Sequence, residues 1–228
     1  SLWSSRSRSS ATTTARESAA SATGTTAIRN ELHNALLASA PELVLHISNF
    51  DGSEESIRTL CRQTYLDTPS LALEMPKLDV SIYPDAGQQR IVEIQLTYAL
   101  DPAEREHRQA QLRSTTKSIC APMERLNGSA QLKAAAKALW DIDRTLPQGG
   151  STAYDALVTG SADNQGLSLA MALLCQELEL KCVVVDGQQN GLPHVWTVVS
   201  TDDGWRHLDL AHTDDPAPTF RTDEDLEA

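Results

Sequence analysis

Asp163-Asn-Gln-Gly-Leu-Ser-Leu-Ala-Met-Ala-Leu-Leu-Cys175, followed by Cys182-Val-Val-Val-Asp186, His194-Val-Trp-Thr-Val-Val199 and Trp205-Arg-His-Leu-Asp209, decides the fold of this chain. The first stretch reads as a helix, expected over about 164–178. The three that follow are short, rich in β-branched residues and separated by turn residues, as antiparallel strands are. A shorter helix is expected just upstream, over 152–158. The pattern is a helix packed on an antiparallel sheet, which places the chain in the α+β class.

Working outward, Pro147-Gln-Gly-Gly150 is the best boundary within the fold, so the core is read as 145–216. The section 26–144 before it reads as a smaller α+β unit. Ile28, Leu32, Leu36 and Leu37 recur at helical spacing over 26–39, and Pro41 ends that helix. Leu43-Val-Leu-His-Ile47 is β-prone. Ser53 is a good N-cap for a second helix, with Glu54 and Glu55 at the positive dipole end and Asp67-Thr-Pro69 as its stop. Val80-Ser-Ile-Tyr83 and Ile91–Tyr98 alternate, so a hairpin with one buried face is expected, with Pro84-Asp-Ala-Gly87 as its turn. Asp101-Pro102 opens a long charged helix striped by Leu112, Thr116 and Ile119, which Pro122 is expected to kink. A further helix runs from Ser129 to about Arg144. Residues 1–25 are almost wholly Ser, Thr, Ala and Arg, and read as a disordered tether that cannot bury enough apolar area to offset ordering. Residues 217–228 read as an acidic, frayed tail.

The net charge of −12, from 19 basic and 31 acidic residues, argues against nucleic acid as a partner, since phosphate neutralisation needs clustered Lys and Arg. No run of 18 apolar residues is present, so no transmembrane segment is expected in this chain. The first residue is not Met and the tether composition suits a stretch following a removed signal peptide or an upstream anchor. The expectation is therefore an extracytoplasmic, secreted or surface-anchored protein. Cys61, Cys120, Cys175 and Cys182 form no C-x-x-C pair and have no zinc spacing, so neither a metal nor a cofactor is expected.

Three local contexts, in order, carry the chemistry. Thr152-Ala-Tyr-Asp-Ala-Leu-Val-Thr-Gly160 leads into Ser161-Ala-Asp-Asn-Gln-Gly166 at the start of the long helix. Pro193-His-Val-Trp-Thr-Val198 follows on a strand, then Gly204-Trp-Arg-His-Leu-Asp209 on the next. A group at a helix N-terminus, a His on a facing strand and an acid on its neighbour are the parts of cysteine-type nucleophilic catalysis.

These stretches resemble the bacterial transglutaminase-like family of the papain-like cysteine-protease fold over about 152–216. There, Thr-Ala-Tyr-x-Ala-Leu precedes Lys-Ala-Val-Cys-Gln-Gly, His-Ala-Trp-Asn-x-Val carries the base, and Gly-x-Trp-Tyr-His-Val-Asp the third member. More loosely, Trp140-Asp-Ile-Asp resembles the family's His-Asp-Tyr helix, and Thr213-Asp-Asp-Pro216 echoes its Trp-Asp-Asp run. The resemblance implies a triad at position 164, His194 and Asp209, yet position 164 is Asn. An amide is no nucleophile comparable to a thiolate, and losing a triad nucleophile costs ~10⁶-fold in a serine-protease example. Cys175 lies roughly 16 Å further along the same helix and cannot replace it. Asn164 has an alternative role as the helix N-cap. The family's usual Thr-Trp is here Ala211-His212, and its long loop before Thr-Ala-Tyr is only Thr145 to Ser151. Tyr154 and Trp196 are candidates for lining a binding groove, with core packing the plainer role for Trp196.

The resemblance thus implies a pseudoenzyme with vestigial triad positions Asn164, His194 and Asp209. It would bind a peptide, protein or cell-wall ligand in the old cleft. The alternatives are a cysteine-type transglutaminase or protease whose natural form carries its nucleophile at 164, and a purely structural module.

Overall fold

The computed structural model describes residues 4–7, 25–48, 52–71, 73–84, 87–142, 150–210 and 217–227. It is α+β, with two antiparallel sheets and two compact units, Ser1–Asp101 and Pro102–Ala228. The division falls at 101/102 and not at 145. The two helices expected between 102 and 144 therefore belong with the second unit. An apolar stripe shows that a helix buries a face, but it does not say against which core.

In the first unit, α1 (Thr25–Leu37) and α2 (Glu54–Leu66) accompany a four-stranded sheet. The strands β1 (Ser4–Ser7), β2 (Glu42–Ser48), β3 (Lys77–Tyr83) and β4 (Gln89–Thr97) run in the order β1-β2-β4-β3. Alternation sets the register: Leu45 faces Val92 across β2 and β4, and Val80 faces Ile94 across β3 and β4. Ile28, Leu32, Ile57 and Cys61 from the helices close on Leu43, Leu45, Ile47, Val92 and Ile94 from the sheet. Ser53 caps α2 as expected, through a reciprocal pair in which Ser56 N–H donates to Ser53 Oγ (3.3 Å) and Ser53 N–H to Ser56 Oγ (2.8 Å). Ser4–Ser7, inside the stretch read as tether, pairs with Leu43–His46 as an edge strand. Backbone pairing at an edge needs no apolar side chains, so composition could not reveal it. The other residues of 1–24 lie outside the described residues.

In the second unit, α3 (Pro102–Cys120) buries Leu112, Thr116 and Cys120. It ends at Pro122 in a 3-10 turn, Ala121–Met123, and does not continue through a kink, because the Pro ring clashes with the preceding turn of helix. Next comes α4 (Gly128–Ala138), capped by Asn127, whose Oδ1 accepts from Ala130 N–H at 2.9 Å. It stops short of Arg144, and 143–149 lie outside the described residues. The expected helix at 152–158 is largely one π-helical turn, Asp155–Thr159. Gly160 closes it with φ 84° while its N–H donates to Asp155 O at 2.8 Å, a left-handed conformation that suits Gly.

The central element is α5 (Asn164–Glu177), buried continuously from Gly166 to Cys175. This explains a sequence apolar all round rather than on one stripe. It packs on β5 (Cys182–Gln189) and β6 (Leu192–Thr201), with β7 (Gly204–Leu208) completing the antiparallel order β5-β6-β7. Asn190-Gly191, with φ 52° and 77°, turns β5 into β6. Asp202-Asp203-Gly204 turns β6 into β7. The segment read as a frayed tail is instead anchored. Arg221 exchanges both backbone hydrogen bonds with His207 (2.7 and 2.9 Å) and leads into the single-turn helix α6 (Asp223–Glu227). Among the described residues, no helix is long and apolar enough to cross a membrane.

Candidate functional site

The start of α5 is built by a compact polar network. Asp163 is extended (φ −82°, ψ −176°), and its Oδ1 accepts from Gly166 N–H at 2.9 Å. Its other carboxylate oxygen accepts from Ser151 Oγ, and its own N–H donates to Gly150 O at 3.1 Å. Asp163 is thus the N-cap, and Asn164, expected in that role, is the first helical residue. Asp and Asn are near-equal caps and stand side by side here, so spacing could not separate them; the carboxylate has the added attraction of the helix dipole. Asp163→Ala should lower stability by about 1 kcal/mol in denaturant unfolding, whereas Asp163→Asn, which keeps a capping oxygen, should retain most of it. Equal stability of the Ala variant and the native protein would remove Asp163 from the cap.

Gly166 passes so close to the preceding loop that an added Cβ would lie 2.6 Å from Gly150 O, 2.9 Å from Ala162 Cβ and 3.0 Å from Thr152 O. The Gly of the Asn-Gln-Gly stretch is therefore a packing requirement. Gln165 Nε2 donates to Ser151 O (3.1 Å), and Ser168 Oγ donates to Asn164 O (2.7 Å) while lying 3.4 Å from Val195 O. These bonds tie the first turn of α5 to the loop on one side and to β6 on the other.

The three sequence-selected positions come together. His194 Nε2 is 2.7 Å from Asp209 Oδ2, and His194 Nδ1 is 3.3 Å from Asn164 Nδ2. A carboxylate only accepts, so the ring proton sits on Nε2 and Nδ1 accepts from the Asn164 amide. The His194 side chain is only 9% exposed and Asp209 31%, while Asn164 is exposed. The imidazole thus has an acceptor nitrogen directed at the helix N-terminus. The group there, however, is an amide that donates one of its own protons and cannot give up an electron pair as a thiolate can.

Trp196, two residues along β6, stacks on His194 with ring centroids 5.7 Å apart and planes inclined by 22°. Its ring lies over Gly187, where a Cβ would approach Cη2 to 2.6 Å. Tyr154 is turned toward α3: its hydroxyl donates to Gln111 Oε1 at 2.8 Å, and the Arg108 guanidinium lies 4.8 Å from its ring centroid. Its polar contacts fasten the 152–160 segment to α3 and do not run to the three site residues. Sequence reasoning misses two residues, His207 and Asp223. Trp196 Nε1–H donates to His207 Nδ1 (3.0 Å), and His207 Nε2 meets Asp223 Oδ1 (2.6 Å). The Trp-x-His alternation on β7 hints at a shared face, but nothing in the sequence locates Asp223. Thr213-Asp-Asp-Pro216 and Ala211-His212 lie outside the described residues.

The four cysteines are free, and Cys61, Cys120 and Cys175 are buried. Burial pushes the Cys61 thiol up to about 12 and the Cys120 thiol up to about 11. Cys182 is pushed up by its hydrogen bond with Cys175 and by burial, and Cys175 is fully buried within α5. A raised thiol pKa leaves almost no thiolate at neutral pH. The folded protein should therefore resist iodoacetamide at pH 7 and become fully alkylated on unfolding. Rapid modification of the native state, read by intact mass, would contradict this. Among the described residues no group of three or more His, Cys, Asp or Glu is placed to hold a metal.

A comparison with known protein families and one with curated proteins find no match. A solved crystal structure of a TGase is similar at 14% identity and a TM-score of 0.42, over 78% of this chain and 53% of that one. The chain thus spans about half the length of the structure it matches.

Proposed function

We propose that this protein is a catalytically inactive transglutaminase-like module that binds a peptide, protein or cell-wall ligand at the Asn164–His194–Asp209 site. The observation that carries the reading is the Asn164 amide, 3.3 Å from the acceptor nitrogen of His194, at the position where the resembling sequences have a thiol. The Asp209 carboxylate still holds the imidazole from behind, so the surroundings favour catalysis while the reacting atom is absent. What remains is a set of fixed donors and acceptors next to an exposed helix N-terminus, suited to the amide and carboxylate groups of a peptide or peptidoglycan stem.

Peptidyl electrophiles of the chloromethyl ketone class test the first half. Intact mass and peptide mapping should show no adduct at residue 164 or His194. Covalent modification at either would overturn the inactive reading and favour a reactive transglutaminase- or protease-type site. Peptidoglycan stem peptides and Gln-containing peptides test the second half: saturable shifts of the His194 and Asn164 NMR signals are expected. Their absence with every peptide would leave only a structural module. Extracytoplasmic residence is part of the same proposal, supported by the Ser/Thr/Ala-rich start of the chain, and protease accessibility on intact cells checks it.

A further inference from the structure

Beside the pair His194–Asp209 stands a second His–Asp pair, His207–Asp223, with the Trp196 indole between the two. The indole stacks on His194 at 5.7 Å and tilts by 43° against His207 at 6.4 Å. It is also hydrogen-bonded to His207. The roles in this chain are fixed by chemistry. An indole N–H can only donate, so His207 Nδ1 must be the unprotonated nitrogen and Nε2 must carry the hydrogen. That hydrogen points to Asp223 Oδ1, 2.6 Å away, an acceptor supplied by the segment that the backbone pairing of Arg221 with His207 holds alongside β7. Thr222 and Asp225 fix the start of α6 reciprocally, at 2.8 and 3.2 Å, which sets the direction of Asp223.

We infer that His207 and Asp223 are positioning residues for His194, acting through Trp196. Asp223 holds His207 in the tautomer whose Nδ1 receives the indole proton. That bond keeps the indole plane against the imidazole, while Gly187 leaves the space on which the far edge of the ring rests. His194 is thereby fixed by Asp209 at its Nε2 edge and by Trp196 on its face, and its Nδ1 stays directed at residue 164. The C-terminal segment, remote in sequence from the nucleophile position, is in this way part of the site. The inference rests on the reading of His194 as the retained triad histidine.

Asp223 is a favourable residue to change, because its side chain is 92% exposed and its loss leaves no cavity. In the full-length ¹⁵N-labelled protein, D223A should speed hydrogen exchange of the Trp196 indole N–H by about five- to tenfold, the loss of roughly one hydrogen bond's restraint. It should also shift the ring-nitrogen signals of His194. D223N keeps an acceptor oxygen and should stay near the native spectrum. G187A, which displaces the same indole from its other side without touching the tail, should move the His194 signals as well. The inference is overturned if D223A loosens the indole and leaves the His194 ring signals in place, which would mean that the tail merely packs. It is also overturned if D223A leaves indole exchange at the native rate, or if D223N is as disruptive as D223A. These readouts concern the residue's own ring and not ligand binding. Failure here therefore leaves the binding proposal standing, and failure of every peptide to bind leaves the positioning role standing.

Discussion

Asn164→Cys is expected to yield a thiol that reacts with iodoacetamide at about pH 6 roughly tenfold faster than an ordinary cysteine. Two opposing effects set this figure. An unperturbed thiol of pKa ~8.5 is only ~0.3% thiolate at that pH, whereas one lowered to ~6 by a helix N-terminus and an imidazolium is half ionised. The gain in thiolate is about 150-fold, and the weaker nucleophilicity of the less basic sulfur takes back about tenfold. The pH profile separates the cases. A depressed pKa keeps the rate nearly level from about pH 8 to 6 and loses it only below that. An ordinary thiol loses about tenfold for each unit below its pKa. Adding His194→Ala should restore the ordinary profile. The native cysteines supply a quiet background, since Cys61, Cys120 and Cys182 have raised thiol pKa values and Cys175 is fully buried. An ordinary profile for the thiol introduced by N164C would show that the Asn164–His194 distance of 3.3 Å does not represent a retained catalytic geometry.

Gly166→Ala is expected to lower stability by about 1–3 kcal/mol, a fall in Tm of roughly 4–12 °C for a unit of this size. In an ordinary helix the same change is favourable by up to ~1 kcal/mol, so the sign itself is diagnostic. Here the new methyl would lie 2.6 Å from the Gly150 carbonyl oxygen and 3.0 Å from that of Thr152, both backbone atoms without rotamers in which to retreat. The Gly150 carbonyl also receives the Asp163 N–H, so moving it disturbs the start of α5. Thermal unfolding read by circular dichroism checks the prediction. A G166A variant as stable as the native protein would show that the loop yields cheaply and that the glycine answers some other need.

The features legible in the sequence are those written locally. The Ser53 cap and the β3–β4 alternation each depend on residues within a few positions of one another. The helix expected over about 164–178 is α5, Asn164–Glu177. Order and context bring His194 and Asp209 together, and they stand 2.7 Å apart. What escapes is set by pairings distant in sequence. The stripe of α3 does not say which core it serves, and Cys120 lies against the Leu174 carbonyl of α5 at 3.7 Å, not in the first unit. Asp163 and Asn164 are indistinguishable as caps until φ and ψ separate them. Asp223 looks like one more acid in a charged tail, and only the backbone ladder between Arg221 and His207 gives it a partner.

The placement of the helix cap on Asp163 has an evolutionary consequence. Since the neighbouring residue starts the helix, position 164 contributes its side chain to the site and owes little to the fold. A lineage could therefore exchange a reactive group for an inert one there, or reinstall it, without crossing a barrier of misfolded intermediates. For an engineer the same separation makes residue 164 a socket: thiol, hydroxyl, amide or carboxylate can be placed there without removing the cap, and the resulting series would report what the His194 environment does to each.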